Sequence, residues 1–238
     1  MKLDILAIGA HPDDVEISCA GALLKHLSLE EKVGILDLTR GELGTRGSAE
    51  LRAEEAAQAS KIMGIHIREN LGMKDGFFMN TPENQLLIIQ KIRQYQPDIV
   101  LANAIYDRHP DHGKASSLIS DACFYSGLVK VETELNGQKQ KQWRPKYVYH
   151  YIQDRYIKPD FILDISDFID TKMEAIQAYS SQFWDPNSKE PQTPISSKQF
   201  LESIRNRNAE MGRIIGVEYG EGFTCERIPG VSNFDKLK

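Results

Sequence analysis

The 238-residue chain predicts an α/β fold, a mostly parallel sheet with helices on both faces. Short β-type runs alternate with longer stretches of helical period, the order expected of parallel strands joined by crossover helices. The residues that carry chemistry fall at strand-to-helix junctions, where open α/β sheets place their ligands. With 41% hydrophobic side chains the chain can bury one sizeable core, so a single domain over residues 1–238 is expected.

Taken in order, Leu3 to Gly9, Val33 to Leu38, Ile65 to Leu71 and Asp98 to Ala102 read as the first four strands. Helical patterns lie between them, near Ile17 to Leu29, Ala49 to Met63 and Glu83 to Tyr95, and another starts near Gly113. Gly64 and Pro97 punctuate two of the helix ends. Lys146 to Ile152 and Phe161 to Ile165 look like further strands, and Asp167 to Ser181 and Ser197 to Ile215 like further helices. No internal repeat is evident. Asp185 to Ser197 holds three prolines among small polar residues and reads as a mobile surface loop or lid rather than a domain linker.

Composition removes several classes of function. A formal charge of -5 argues against a broad cationic surface, so nucleic acid is not an expected partner. Met1 to Ala10 lacks the features of a signal peptide, and no apolar run reaches membrane-spanning length, so a cytoplasmic protein with no membrane partner is expected. Cys19, Cys123 and Cys225 are odd in number and widely spaced, which suits neither a disulfide framework nor a thiolate zinc site. They read as reduced packing residues.

Two clusters carry the chemistry. The first, "GAHPDDVE" at Gly9 to Glu16, lacks GxGxxG and the lysine of a phosphate loop, and offers imidazole and carboxylate instead. His11 and Asp14, three apart at a turn, can aim at one point with Asp13 beside it; the plainer reading is a helix cap next to a loop histidine. The second, "DRHPDH" at Asp107 to His112, follows strand four. In a sheet of order three, two, one, four, direction reverses between strands one and four, and the two clusters then face each other. His11, Asp14 and His112 would supply three ligands to one ion and leave a position for water, as in a catalytic zinc site.

"AHPDDVE" followed at a distance by "HPDH" resembles the LmbE-like or PIG-L family of metal-dependent de-N-acetylases. "LTRGELGTRGSAELRAEEA" (Leu38 to Ala57), "YSSQF" (Tyr179 to Phe183) and "GEGF" (Gly220 to Phe223) are similar to its bacillithiol-biosynthesis branch, whose substrate is N-acetylglucosaminyl malate. The resemblance implies a Rossmann-like, LmbE-like fold and one zinc ion per chain on His11, Asp14 and His112, with ferrous iron an alternative that the same donors suit. It also implies Asp13 as general base and His109 as an aid to the transition state. On chemical grounds His109 would act as a protonated donor to the oxyanion, and Asp111 either orients an imidazole or caps a helix.

Arg46, Arg52 and Arg108 lie near the same edge of the sheet and could pair with substrate carboxylates or with surface acids such as Glu42, Glu50 and Glu54. Glu16 is expected to brace the first loop, and His26, His66 and His150 carry no assigned function. A small amino-sugar is therefore the expected partner, with a homo-oligomer open. The alternatives are de-N-acetylation of another small N-acetylated sugar and a metal-dependent phosphoesterase, which normally needs two ions about 4 Å apart.

Overall fold

In the computed structural model, which describes residues 1–233, the first strand β1 (Ile5–Gly9) divides its side chains between two helix layers. Ile5 and Ala7 join one core, while Leu6 and Ile8 join the other. This alternation follows from the period of two along a strand, and burial on both faces explains why the strand is apolar throughout.

The chain continues through α1 (Asp14–Ser28), β2 (Val33–Thr39), α2 (Ala49–Met63), β3 (Ile67–Met73), α3 (Pro82–Tyr95), β4 (Ile99–Ala102) and α4 (Pro110–Ser126). A small antiparallel hairpin, β5 (Glu134–Leu135) and β6 (Gln138–Lys139), precedes β7 (Tyr147–Tyr151) and β8 (Phe161–Asp164). One 3-10 turn (Ser166–Phe168), α5 (Ile169–Gln177), α6 (Lys198–Ile215) and β9 (Gly220–Cys225) complete the described elements.

The main sheet has seven strands in the order β3-β2-β1-β4-β7-β9-β8. It is parallel from β3 to β7, with Ile5 opposite both Val33 and Ile99, and β9 runs antiparallel between β7 and β8. Residues of α1, α2, α5 and α6 pack on the face of Ile5, Val33 and Ile35. Residues of α3 and α4 pack on the face of Leu6, Leu36 and Val100. Full burial of each Leu or Ile contributes roughly 1.5–3 kcal/mol.

Two elements start earlier than their periodicity implies, and both differences matter for the site. Helix α1 begins at Asp14 rather than Ile17, and α4 at Pro110 rather than Gly113. Proline suits the first turn of a helix because its missing N–H has no partner to lose there and its φ is already helical. Both His/Asp clusters therefore straddle helix N-termini at the carboxyl edge of the sheet, on either side of the β1–β4 reversal.

Helix α1 is broken at Cys19 (φ -138°, ψ 17°). The Glu221 carboxylate of β9 accepts from the backbone N–H groups of Gly21 (3.0 Å) and Ala22 (2.7 Å) just beyond the break, and is neutralised by Lys172 of α5 at 2.6 Å. Both side chains of this pair are completely buried. The "GEGF" segment thus re-caps the second half of the helix that carries Asp14. The 185–197 segment is a surface loop in which Ser188 accepts from Arg46, Thr193 N–H closes a local turn on Ser196 Oγ, and Ile195 packs on the core.

Candidate active site

The first cluster is held by a tight turn. A Cβ on Gly9 would stand 3.2 Å from both Asp14 Cβ and the His11 carbonyl, tighter than most such contacts, so glycine eases the close turn here. Asp13 adopts φ 118°, ψ -24°, a left-handed conformation unusual for a residue with a side chain. Although it precedes α1, its side chain makes no capping bond; its Oδ2 instead accepts from Arg52 Nη1 at 3.3 Å. Of the two readings of this turn, helix cap or chemistry, the cap is absent for Asp13.

The sheet brings the second cluster against the first. The ring centroids of His11, His109 and His112 lie 4.7 to 5.7 Å apart. Asp14 stands between two of them, with Oδ2 3.5 Å from His11 Nδ1 and Oδ1 3.2 Å from His112 Nε2. The opposite nitrogen of each ring is held from behind. His112 Nδ1 donates to Asp107 Oδ2, and His11 Nε2 faces Asp75 Oδ1 at 3.0 Å and Asp111 Oδ2 at 3.4 Å. Imidazoles backed by carboxylates, with their free nitrogens converging on another carboxylate, fit a metal centre that His11, Asp14 and His112 would hold.

His11, His109 and His112 bring donor atoms close enough to share an ion, and Asp75 and Asp111 converge on His11 as a second such grouping. Their oxygens already accept from the N–H groups of Leu43 and Gly76 and from Lys114, so this grouping supports the ring. Asp111 orients His11 and does not cap α4; the cap is His109, whose Nδ1 accepts from the Asp111 N–H at 3.2 Å.

The electrostatics match this layout. Burial alone would lower His112, but Asp14 and Asp107 outweigh it and lift the imidazole to about 9. His11 is raised likewise, against its burial, by Asp111, Asp14 and Asp75. The site therefore demands positive charge. Burial opposes ionisation of Asp14 too, yet His112 and His11 hold it well below the carboxylate range. Asp13 behaves oppositely, pushed up to about 7 by burial against the pull of Arg52.

His109 is lowered by burial and by the neighbouring His11 and His112. Because its Nδ1 accepts a hydrogen bond, the neutral ring carries its proton on Nε2. The expected imidazolium is thus replaced by a neutral N–H donor.

The three arginines part company. Arg52 is buried in the wall of the cleft, bonding the Pro12 carbonyl (3.2 Å) as well as Asp13. Arg46 is buried against the Phe183 carbonyl and Ser188 Oγ and does not line the cleft, which removes it as a substrate contact. Arg108 is at the cleft's rim, half-exposed and bonded to Asp154 at 3.2 Å. Glu16 accepts from Arg68 and from Tyr179 O–H, bracing α1 against β3 and the chain after α5.

The cleft over these residues measures about 240 Å³ and is also lined by Gln153, Gln182, Phe200 and Arg207. A larger groove of about 910 Å³ runs between α2 and the edge strand β3, but is lined by none of the imidazoles or carboxylates of the two clusters. The sequence reading missed Asp75, Asn103, Gln153 and Arg207. None of these lies in a quoted motif, whereas Asp107 opens "DRHPDH" and was given no role.

A cleft with a metal-fitting His/Asp centre at the switch point of a doubly wound sheet is the arrangement of a metal-dependent enzyme. Residues 6–123 match the model of the PIG-L family, GlcNAc-PI de-N-acetylase. The conserved protein TT1542 from Thermus thermophilus has a solved structure that superposes with a TM-score of 0.87 at 34% identity, covering 98% of each chain. The diacetylchitobiose deacetylase of Thermococcus kodakarensis is 29% identical over 95% of this chain and 84% of its own. A probable N-acetyl-alpha-D-glucosaminyl L-malate deacetylase 2 of Bacillus anthracis is 25% identical over 75% of this chain and 81% of its own. The chain belongs to the PIG-L family of de-N-acetylases. Kinship within it does not single out the bacillithiol branch, since the chitobiose relative is matched over more of the chain.

Proposed function

We propose that the protein is a zinc-dependent hydrolase that removes the acetyl group from an N-acetylglucosaminide with a small aglycone, N-acetylglucosaminyl malate and N,N'-diacetylchitobiose being the two substrates that kinship offers. The observation that carries this reading is the position of Asp13, a carboxylate beside the His11–Asp14–His112 donors, held by Arg52 and engaged in no helix cap. An amide resists attack at its carbon and departure of its nitrogen, and the two problems need separate groups.

His11, Asp14 and His112 would hold the zinc ion, which would supply Lewis acidity toward the acetyl carbonyl and a water of pKa lowered toward about 7. Asp13 accepts the proton of the attacking water as its oxygen bonds to the acetyl carbon. His109 Nε2–H donates to the oxyanion that develops on the carbonyl oxygen. Asp13 then gives its proton to the nitrogen as the C–N bond breaks, leaving acetate and the free amine. Arg52 fixes one oxygen of Asp13 throughout.

The cleft, at about 240 Å³, is smaller than the usual pocket of roughly 300–1,000 Å³. It suits the acetamido end of a substrate and leaves the aglycone at the rim, beside Arg108. A charge-assisted bond there would favour the malate conjugate, each such bond contributing about 1.5–3 kcal/mol. The test is acetate release from N-acetylglucosamine, its malate conjugate and N,N'-diacetylchitobiose, by the wild type and by Arg108→Ala. A malate-specific loss of about tenfold to a hundredfold in kcat/KM supports the conjugate. Equal loss on all three removes the malate reading, and no acetate from any of them removes the function.

A further inference from the structure

Asp14 is gripped by two amides that the mechanism does not use. Asn103, just past β4, donates from Nδ2 to Asp14 Oδ2 at 3.1 Å, and Gln153, just past β7, donates from Nε2 to Oδ1 at 2.7 Å. Both side chains are buried. Each amide has its orientation set by the carboxylate, which accepts only from the NH2 end. The other end of each, Asn103 Oδ1 and Gln153 Oε1, is buried without a hydrogen-bond partner among the described residues. Unsatisfied buried amide oxygens are uncommon, and here two of them belong to the donors of one carboxylate.

The backbones of both amides are themselves anchored. The Asn103 carbonyl accepts from His150 Nδ1 at 2.8 Å, and the Gln153 carbonyl accepts from Arg207. His150, left without a role by the sequence, thereby fixes the residue that fixes Asp14.

The two oxygens of Asp14 are not equivalent. Oδ2 accepts two hydrogen bonds, from the His11 backbone N–H (3.0 Å) and from Asn103, which fill both of its lone pairs although His11 Nδ1 also stands 3.5 Å away. Oδ1 accepts from Gln153 and keeps one lone pair on the side of His112 Nε2, 3.2 Å away. We infer that Asn103 and Gln153 are positioning residues that make Asp14 a one-oxygen metal ligand, offering a single lone pair of Oδ1 and withholding Oδ2. This rests on the assignment of Asp14 as a metal ligand, and the test separates the two claims.

Zinc affinity is measured by chelator competition on the purified chain and on Asp14→Ala, Asn103→Leu and Gln153→Leu, with absorption spectra of the cobalt(II)-loaded forms. Asp14→Ala should lose tight binding. Each leucine variant should bind zinc about 10- to 100-fold more weakly, the usual effect of removing a group that orients a ligand. Asn103→Leu frees a lone pair of Oδ2, so Asp14 can chelate with both oxygens and the cobalt d–d bands should lose intensity as the coordination number rises. Gln153→Leu leaves Oδ2 saturated and should keep the band intensity.

Wild-type affinity and spectra in both leucine variants, with Asp14→Ala defective, would overturn the clamp and leave the metal centre standing. Undiminished zinc in Asp14→Ala would instead remove the ligand assignment beneath it. Should Asn103→Leu fail to fold, Gln153→Leu on the cleft wall decides: weaker zinc binding supports the clamp and unchanged binding overturns it.

Discussion

Asp13 and Asp14 are neighbours in sequence with opposite electrostatic fates. Asp14 lies between two imidazoles and is held ionised against its burial, whereas Asp13 has one guanidinium at 3.3 Å and rises to about 7. The first suits a ligand and the second a group that takes and returns a proton near neutrality. Asp13→Asn keeps the shape and removes the acceptor, so metal content should be unchanged while kcat falls roughly 10²- to 10⁴-fold. Near-normal turnover by that variant would move the base elsewhere. At this scale the sequence was legible where donors are contiguous, as in "AHPDD" and "HPDH". Asp75, Asn103 and Gln153 were hidden because they reach the site from three separate loops, with no local pattern. Arg46 was misjudged because an arginine in a glycine-rich loop gives no sign of its direction. In the fold it turns to the 183–188 segment.

The parallel half of the sheet and its helices could be read from alternating periods, because each β–α unit is local in sequence. Strand β9 was not recognised: "GEGFTC" is short and glycine-containing, and it forms by pairing with β7 and β8 from far along the chain. That strand supplies Glu221, whose partnership with Lys172 holds the break in α1. Removing one member of a fully buried ion pair leaves a charge with no compensation. Lys172→Met should therefore destabilise the protein by about 3–5 kcal/mol in urea unfolding, with an m-value unchanged if unfolding stays two-state. A loss below about 1 kcal/mol would show that the break in α1 does not depend on this pair. The 185–197 segment was read as a mobile surface loop or lid from its prolines, and it is a surface loop; the contact of Ser188 with Arg46 comes from tertiary structure that composition does not report.

Across the whole molecule, folding gathers Asp13, Asp14, Asp75, Asp107 and Asp111 around three imidazoles, a concentration of negative charge that a cation relieves. Metal binding should therefore stabilise the fold. At free zinc of 100 times its dissociation constant the gain is about 2.7 kcal/mol. For a chain of this size that corresponds to a rise of roughly 5–10 °C in Tm over the chelated form. An unchanged Tm on chelation would argue that no ion is held in the folded state. Among the described residues no helix is long and apolar enough to cross a membrane.

The central claim is that a metal held by His11, Asp14 and His112 drives hydrolysis of an N-acetyl group, and one reconstitution tests it most directly. The purified protein and its His112→Ala variant are stripped with chelator and titrated with zinc, while acetate release from N,N'-diacetylchitobiose and N-acetylglucosaminyl malate is followed beside bound metal. The wild type should lose activity on stripping and regain it in proportion to zinc, reaching its maximum at about one ion per chain, and the variant should regain neither tight binding nor turnover. Acetate release that persists in the stripped wild type, or full recovery by His112→Ala, would contradict the account.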